Sequence, residues 1–269
     1  MEHYVTLFDS LYLFRGVALY ASMERHAGAF TLWVLCMDNA TYDVLQRMAL
    51  QHMQLLQLEN LETDELKSIK AARNKVEYCW TLTPFSLRFV FEAGPAVVRA
   101  TYIDADMWLL KSPSPIFSEL EGSGKRVLIT EHGFAPEYDQ SATSGKYCVQ
   151  FITFYREGGE VVRKWWEERC IEWCHIRFED GKFGDQKYLD DWTERFPEQV
   201  HVLKHQEWMQ APWNSIRFQC NEAIWHHFHG LGISEGKVVV GNYTIPSLTL
   251  ANVYAPYLDD LKKSILHIG

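Results

Sequence analysis

Strand-like segments and amphipathic helices alternate along most of this chain. Short β-rich runs lie at Tyr4–Phe8 and Thr31–Met37, and a helical pattern over Leu11–Glu24 separates them. Such alternation favours an α/β fold with a mostly parallel, doubly wound sheet, because parallel strands require crossover connections that helices supply. The other predicted strands are Gln54–Leu58, Val97–Ile103, Val127–Thr130, Val149–Phe154, Val200–Leu203 and Ile224–Phe228. Further helices are predicted at Tyr42–Leu55, Asp64–Phe91, Val161–Trp173 and Asp185–Trp192. Within Asp64–Phe91, Pro84 must either start a helical segment or kink it.

No linker or repeat divides the chain. We therefore predict one domain over residues 1–269, with residues 231–269 as a C-terminal extension that packs on it. No apolar run approaches the roughly 18 residues of a membrane span. The first residues also lack the basic start of a signal peptide. Because the six cysteines lie mostly inside apolar stretches, we expect a cytoplasmic protein with buried thiols.

The charge balance restricts the possible ligands. The chain carries 35 acidic against 26 basic residues, a formal net charge of −9, and no block of Lys and Arg interrupts that balance. Duplex nucleic acid and anionic lipid surfaces are therefore poor partners. A phosphate-bearing ligand would need something other than a basic patch to neutralise it.

Two acids follow the strand predicted at Val97–Ile103. Asp104 and Asp106 are separated by Ala105, and in extended backbone such residues face the same way. Two close carboxylates repel each other unless a cation lies between them, and Mg²⁺ or Mn²⁺ accepts oxygen ligands together with phosphate. An Asp-rich turn after a strand would explain the same residues without a metal. The metal interpretation also answers the charge problem, since a bound cation lets an acidic protein hold a diphosphate.

Three histidines stand in the segment Ile224–Gly230. In a strand, His227 and His229 share one face and His226 takes the other. Imidazole is a good ligand for a borderline metal such as Mn²⁺, so a histidine from this segment can complete a site with two aspartates. Packed or surface histidines are one alternative, and an all-histidine zinc site, for which no fourth ligand is evident, is another.

Two other polar positions stand out against their surroundings. Asp185 and Gln186 follow a Gly-containing turn at a predicted helix start, so Asp185 either caps that helix or projects with Gln186 into a binding site. Gln150 is polar within the otherwise apolar strand Val149–Phe154. It either faces solvent at a sheet edge or contacts a substrate.

These segments occur in an order found in a known family. The Asp104–Asp106 strand end, the Asp185-Gln186 helix start and the late His227-x-x-Gly230 resemble glycosyltransferases of the GT-A fold, family 8, the glycogenin and lipopolysaccharide-galactosyltransferase-like family. Tyr78–Thr83 is similar to the glycogenin segment upstream of its D-x-D. The resemblance covers roughly residues 4–230 and implies a single GT-A domain around a central, mostly parallel sheet.

The resemblance implies a metal-dependent hexosyltransferase that acts with retention of anomeric configuration. It would take the sugar from a nucleotide-diphosphate sugar, UDP- or GDP-linked, and pass it to a glycan or lipid-linked acceptor. It implies Mn²⁺ or Mg²⁺ as cofactor, bound by Asp104, Asp106 and His227, with His229 as the alternative ligand. Asp185 and Gln186 are the implied catalytic residues at the donor sugar. The donor-binding candidates are Phe8, Asp9, Arg73, Lys75, Ala105 and Gln150, and the acceptor-side candidates are Trp213 and Asn214.

The chain departs from the family pattern at three places. Lys146–Gln150 stands where the family has Asn-x-Gly, Asp185-Gln186-Lys187 replaces Asp-Gln-Asp, and the late lysine is displaced to Lys237. These departures indicate a divergent, bacterial-type member. Two other functions stay open: a catalytically silent carbohydrate- or partner-binding domain on the same scaffold, and a sugar-1-phosphate nucleotidyltransferase. A nucleotidyltransferase would need a Gly-rich, basic N-terminal loop, whereas Arg15 is the only basic residue in positions 8–16.

Overall fold

The computed structural model describes residues 1–234 and 237–268, and it confirms the predicted alternation of strands and helices. The strands are β1 (Glu2–Phe8), β2 (Phe30–Cys36), β3 (Met53–Gln57), β4 (Arg99–Ile103), β5 (Met107–Leu109), β6 (Val127–Glu131), β7 (Tyr147–Tyr155), β8 (Val200–Val202), β9 (Met209–Gln210), β10 (Trp225–His227), β11 (Leu231–Ser234) and β12 (Lys237–Val240). The α-helices are α1 (Leu13–His26), α2 (Asn39–Met48), α3 (Asp64–Ala72), α4 (Lys75–Ala93), α5 (Ser114–Ser123), α6 (Ser141–Ser144), α7 (Arg156–Glu172), α8 (Trp192–Arg195), α9 (Ser247–Thr249) and α10 (Ala255–Ile268).

A seven-stranded sheet forms the centre of the described chain, in the order β3-β2-β1-β4-β7-β6-β8. Strands β3, β2, β1 and β4 run parallel to one another, and β6 runs parallel to β8, while β7 runs antiparallel to both β4 and β6. The prediction of an α/β fold with a mostly parallel sheet is therefore confirmed. Because β7 is reversed, its first residues lie at the edge of the sheet where β1 and β4 end.

The late predicted strand lies outside the central sheet. Strand β10 pairs antiparallel with β5 and parallel with β9 in a separate three-stranded sheet. In this register His227 is opposite Met107. The late histidine segment is thereby placed beside the residue that directly follows the D-x-D.

The long helical segment predicted over Asp64–Phe91 divides at a different place from the one expected. Asn74 caps α4, and the Asn74 and Glu77 side chains each accept a hydrogen bond from the other's backbone amide. Pro84 lies inside α4 and neither starts nor ends it. The capping box satisfies amides that the start of a helix leaves without partners, so the break falls there and not at the proline.

Two shorter predicted helices also differ from the structure. The helix predicted from Tyr42 to Leu55 ends at Met48, because Ala49 adopts a left-handed conformation that terminates it. The helix predicted over Asp185–Trp192 is a 3₁₀ turn over Lys187–Asp191 that continues into α8. Asp185 therefore precedes the turn and does not cap it.

Apolar side chains fill both faces of the central sheet. One cluster unites residues of α4 and α7, with the Trp166 side chain fully buried, and another unites residues of α1, α2 and α5. A third cluster joins α10 to the small sheet. There Asp260 accepts hydrogen bonds from Trp108 Nε1 at 2.9 Å and from an Arg25 nitrogen at 2.5 Å. Through Trp108, the C-terminal helix is anchored two residues after the D-x-D.

Across the described ranges, no helix has the length and apolar character needed to cross a bilayer. All six cysteines are free thiols, and Cys36, Cys148, Cys170 and Cys174 are buried, as expected from the sequence.

Candidate active site

The predicted site residues gather where the order of the sheet changes direction. Strand β1 has β2 on one side and β4 on the other, so the ends of β1 and β4 border a topological switch point. In open α/β sheets, ligands bind in the crevice outside the carboxyl ends of strands at such a point. Asp9 directly follows β1 and Asp104 directly follows β4. The fold therefore places both acids at the expected crevice.

Asp104, Asp106 and His227 form a cluster suited to a metal ion. Each offers one ligand atom, and the three atoms lie within 4.8 Å of one another. His227 Nε2 is 3.1 Å from Asp106 Oδ1 and 3.8 Å from Asp104 Oδ2. Two carboxylates and an imidazole are a donor set that divalent cations such as Mn²⁺ accept. The residues present therefore fit the metal that the resemblance implies.

The charges of this cluster depend on one another. Burial alone would lower the pKa of His227, but the Asp106 carboxylate raises it well above its ordinary value. Burial likewise opposes ionisation of Asp106, yet His227 and Arg15 lower the pKa of Asp106 to about 2. For Asp104 burial dominates and raises the pKa. In the metal-free protein a protonated His227 thus partly occupies the place of a cation, and metal binding must displace that proton.

Gln150 holds His227 in the orientation that metal binding needs. Its side chain is fully buried, and its Oε1 lies 2.8 Å from His227 Nδ1. Because an amide oxygen only accepts, Nδ1 carries the hydrogen and Nε2 is left to face the two aspartates. Gln150 is not among the residues that line the cleft. Neither sequence interpretation of Gln150 holds, since it is neither solvent-facing nor placed to touch a donor.

We expect the Gln150→Leu variant to bind metal more weakly, by about 10–100-fold, because partners of metal-ligating histidines contribute that much to affinity. Gln150→Glu keeps an acceptor for Nδ1 and should retain most of the affinity. Gln210→Leu is the matched control, because Gln210 is also fully buried and lies in β9 beside β10 without touching His227. Calorimetric titration with Mn²⁺ gives the three affinities. An unchanged affinity in Gln150→Leu would contradict the assigned role.

Asp185 and Gln186 lie in the same cleft. The Asp185 side chain is buried, and its Oδ2 has no hydrogen-bond partner. Desolvation, aided by the charge of Asp104, raises the pKa of Asp185 to about 8. Gly184 makes this placement possible, because its φ of +53° suits glycine and a Cβ there would lie 3.0 Å from the Trp80 ring. Asp185 is therefore a buried carboxyl at the border of the cleft, and its raised pKa favours the protonated form at neutral pH.

Four of the residues predicted to bind the donor also line the cleft. Phe8, Asp9, Lys75 and Ala105 all contribute to its surface. Lys75, at the first position of α4, forms an ion pair with Asp9. The pairing joins the end of β1 to the start of α4 and leaves a cation beside the switch point. These positions agree with the predicted roles, which stay predictions.

Arg73 and Asn214 lie outside the cleft. The Arg73 guanidinium bonds Thr81 and donates to the backbone carbonyls of Cys170 and Ile171 at 2.6 and 2.7 Å. It therefore joins α4 to the end of α7 and is not free for a diphosphate. The Asn214 side chain is fully buried; it donates to the carbonyl of Met209 in β9 and accepts from the amide of Ala211, which directly follows β9. Trp213 does line the cleft, beside His227.

The other two late histidines occupy different surroundings. His229 lines the cleft, with its ring centroid 5.8 Å from that of His227, but it does not belong to the three-residue cluster. His226 is buried on the opposite face of β10 between Phe228 and Tyr254, and burial lowers its pKa to about 3. The segment therefore supplies one ligand, and the described residues assemble no all-histidine site.

Several cleft contacts escaped the sequence interpretation. The Tyr102 hydroxyl donates to Asp104 at 2.9 Å. The sequence could have indicated this contact, because Tyr102 precedes Asp104 by two residues and therefore lies on the same face of the strand. Arg15 donates to Asp106 at 3.4 Å and to the Leu231 carbonyl at 2.6 Å, a pairing that no local pattern reveals. Cys148 lines the cleft, and the imidazoles of His132 and His227 offset burial and lower the pKa of its thiol to about 7. Residues 235–236, in the segment that leads to the displaced Lys237, lie outside the described residues.

Comparisons with known proteins agree with this architecture. No protein-family model matches the chain. The chain is 30% identical to the uncharacterized protein YfnF of Bacillus subtilis (strain 168), over 98% of its own length and 93% of YfnF. Among solved structures, the galactosyltransferase LgtC, crystallised with donor and acceptor sugar analogs, matches with a TM-score of 0.59 and 10% identity over 97% of this chain and 95% of LgtC. Mouse xyloside xylosyltransferase 1 matches with a TM-score of 0.56 and 15% identity over 91% and 99% of the two chains. The chain thus belongs to the family of Bacillus subtilis YfnF and has the fold of GT-A glycosyltransferases.

Proposed function

We propose that this protein is a metal-dependent glycosyltransferase that moves a hexosyl group from a nucleotide-diphosphate sugar to an acceptor hydroxyl. The observation that carries the proposal is the Asp104, Asp106 and His227 cluster at the switch point of a GT-A fold. A scaffold of this kind is compatible with many functions, so the function has to be argued from the site. A cation site at the switch point, with a buried carboxyl at the border of the same cleft, suits a sugar diphosphate.

A divalent cation, Mn²⁺ or Mg²⁺, would be held by Asp104, Asp106 and His227. When bound, it offsets negative charge on the diphosphate leaving group. The carboxylates alone could not hold a diphosphate, because like charges would repel. The requirement for a cation therefore follows from the sign of the charges in the cleft.

The remaining cleft residues divide between the two parts of the donor. Phe8, Asp9 and Lys75 would border the nucleoside, UDP or GDP in type. Asp185 and Gln186 would hold the sugar, with the protonated Asp185 carboxyl donating to a sugar hydroxyl. These roles are supported by shared lining of one cavity of about 620 Å³, a size typical of ligand sites.

Retention of configuration is part of the proposal and is supported by the resemblance to family 8. The acceptor oxygen would form its bond to the anomeric carbon on the face from which the diphosphate departs. The bond from that carbon to the diphosphate oxygen breaks, and the acceptor proton ends on the diphosphate. The chain's own task is to orient both partners and to keep water out of the cleft.

The test combines binding and turnover. A thermal-shift screen of UDP-, GDP-, dTDP- and CMP-sugars, each with and without Mn²⁺, should show a stabilising donor only when the metal is present. Slow Mn²⁺-dependent hydrolysis of that donor without any acceptor should then follow. If no nucleotide sugar binds or is hydrolysed, the chain is a catalytically silent domain on this scaffold and the proposal fails.

We assign the whole chain to one GT-A domain in which residues 231–269 form a C-terminal extension. Support comes from the contacts of α10, whose Asp260 accepts from Trp108 and Arg25. We also place the protein in the cytoplasm, a setting supported by six free thiols.

A further inference from the structure

One side of the cleft is lined by rings, which we call the aromatic wall. Its members are His132, Phe134, Trp213, His229 and Tyr243, and all of them line the cavity. His132 stacks on Phe134 with ring centroids 4.5 Å apart. Trp213 lies 5.3 Å from His132 and 5.5 Å from His229, and Tyr243 lies 6.4 Å from His229. The rings thus form one contiguous cluster along the cleft, in which His132 and Phe134 stack and the other pairs meet edge-on.

Hydrogen bonds behind the wall hold its rings in place. Trp213 Nε1 donates to the His132 carbonyl at 2.7 Å, which satisfies the polar atom of this buried indole. Asn214 donates to the same carbonyl at 3.0 Å. Tyr138 packs edge-on against Tyr243 at 5.0 Å, and its hydroxyl accepts from the Thr244 amide. The surface is therefore organised before any ligand arrives.

The wall begins at the metal cluster and lies on the side of β6. The Trp213 ring centroid is 5.4 Å from that of His227. His132 directly follows β6, which is separated from β4 by β7, whereas Asp9 and Lys75 come from the β1 side of β4. If the nucleoside of the donor binds on the β1 side and the donor sugar binds at Asp185, the aromatic wall remains available for the acceptor.

Charge favours an uncharged molecule on this surface. Among the lining residues that the structure describes, Lys75 is the one Lys or Arg, and it is paired with Asp9. The cleft also carries Asp104, Asp106 and the buried Asp185. A phosphate group on the acceptor would compete with the donor diphosphate for the cation at Asp104 and Asp106, and the Arg217 guanidinium beside Phe134 already donates to the Gly133 and Phe134 carbonyls. Rings and nearby polar groups, such as those of Gln140 and Ser144, instead suit a molecule with an apolar face and hydroxyls at its rim.

We propose that the aromatic wall is the acceptor subsite and that it takes an uncharged saccharide, whose pyranose ring lays its C–H face on Tyr243 and Phe134. This inference rests on the proposed function and names its acceptor class. Sugar rings present C–H groups on one face and hydroxyls around the edge. Aromatic faces carry negative charge density that attracts C–H groups, while the hydroxyls remain available to polar neighbours.

The test measures saccharide binding and nucleotide binding in the same samples. Saturation-transfer NMR is recorded with methyl glucopyranosides, methyl galactopyranosides and their 6-phosphates, with Mg²⁺ and the nucleotide that gives the largest thermal shift. The variants are Tyr243→Ala, Tyr243→Phe and, as a matched control, Tyr42→Ala, which removes another partly buried tyrosine that lies on α2. Calorimetry gives the nucleotide affinity of each variant.

We expect a neutral glycoside to bind with saturation strongest at its ring C–H protons. Its Kd should rise about tenfold in Tyr243→Ala, the size of an aromatic contact. The affinity should return in Tyr243→Phe and stay unchanged in Tyr42→Ala. Nucleotide affinity should fall much less than glycoside affinity in Tyr243→Ala.

Three outcomes would overturn the inference: equal loss of nucleotide affinity in Tyr243→Ala, which would place the nucleoside on the wall; binding of the 6-phosphates alone; or no glycoside binding to a protein that binds nucleotide. Failure of the proposed function looks different, because then no nucleotide sugar binds or is hydrolysed, whatever the glycosides do.

Discussion

Asp106→Asn is expected to abolish Mn²⁺-dependent transfer while the protein stays folded. The expected loss is roughly a thousandfold or more, because the charge stabilisation that a bound cation supplies is worth several kcal/mol. The substitution keeps the shape of the side chain but removes the charge that faces His227 Nε2 at 3.1 Å. The donor-sugar hydrolysis rate and the metal-dependent thermal shift should therefore disappear together.

The same substitution has a stability cost whose sign is set by the pKa of Asp106. The folded protein lowers this pKa from 3.8 to about 2, so the carboxylate contributes stability at all pH values above 3.8 and loses it as the pH falls through 2. At 1.36 kcal/mol per pKa unit, Asp106→Asn should cost about 2 kcal/mol at neutral pH in the absence of metal. Such a loss lowers the Tm by several degrees and leaves a folded protein.

Asp259→Asn is the matched control, since Asp259 is an exposed aspartate on α10. It should leave turnover, the thermal shift and the Tm as they are. Transfer by Asp106→Asn at the parental rate, or an unchanged response to Mn²⁺, would remove Asp106 from the metal site.

Asp185→Leu is expected to stabilise the fold and to stop transfer at the same time. The buried carboxyl has an oxygen without a partner, so its removal relieves a desolvation cost, whereas loss of its contacts with the donor sugar should lower turnover by about 10²–10³. A gain in stability with a loss of activity is the expected signature of a strained functional residue. Thermal melts and donor-sugar hydrolysis measure the two effects.

The gain in stability expected for Asp185→Leu should depend on pH in a defined direction. The folded protein raises the pKa of Asp185 from 3.8 to about 8, so between these values the folded state holds a proton that the unfolded chain has released. Stability of the parent protein therefore falls as pH rises through this window, and the penalty is on the order of 4 kcal/mol at pH 7. Asp185→Asn, which cannot titrate, should lose this slope and should also lose any change in turnover around pH 8.

Glu160→Gln is the control for the pH experiment. Its carboxylate is exposed on α7, and Lys164 lowers its pKa, so its removal should not stabilise the protein. The contradicting result is a parent protein whose stability and turnover show no more pH dependence between about pH 5 and 8 than those of Asp185→Asn. Asp185 would then be ionised over this whole range and would not hold the assigned proton.

Local sequence predicted the parts of the site that depend on neighbours along the chain. Asp104 and Asp106 face one spot because of the two-residue period of extended backbone, and the predicted strand before them is β4. The prediction that His227 completes the metal site also depended on the family resemblance. Local sequence could not show it, because His227 pairs with a residue of β5 that lies more than a hundred positions earlier in the chain. The roles of Gln150 and Arg73 could not be predicted, since each depends on which distant backbone or side chain lies opposite.

The sequence by itself predicted the fold class, the two aspartates and a cation between them, because hydrophobic periodicity and net charge are local or summed properties of the chain. The tertiary structure decided between the predicted His227 and its alternative His229, and it alone showed why Nε2 of His227 faces the aspartates and why burial raises the pKa of Asp185 to about 8. Those features arise from strand register and burial. Strand register brings together groups that are far apart in sequence, and burial excludes the water that would otherwise screen their charges.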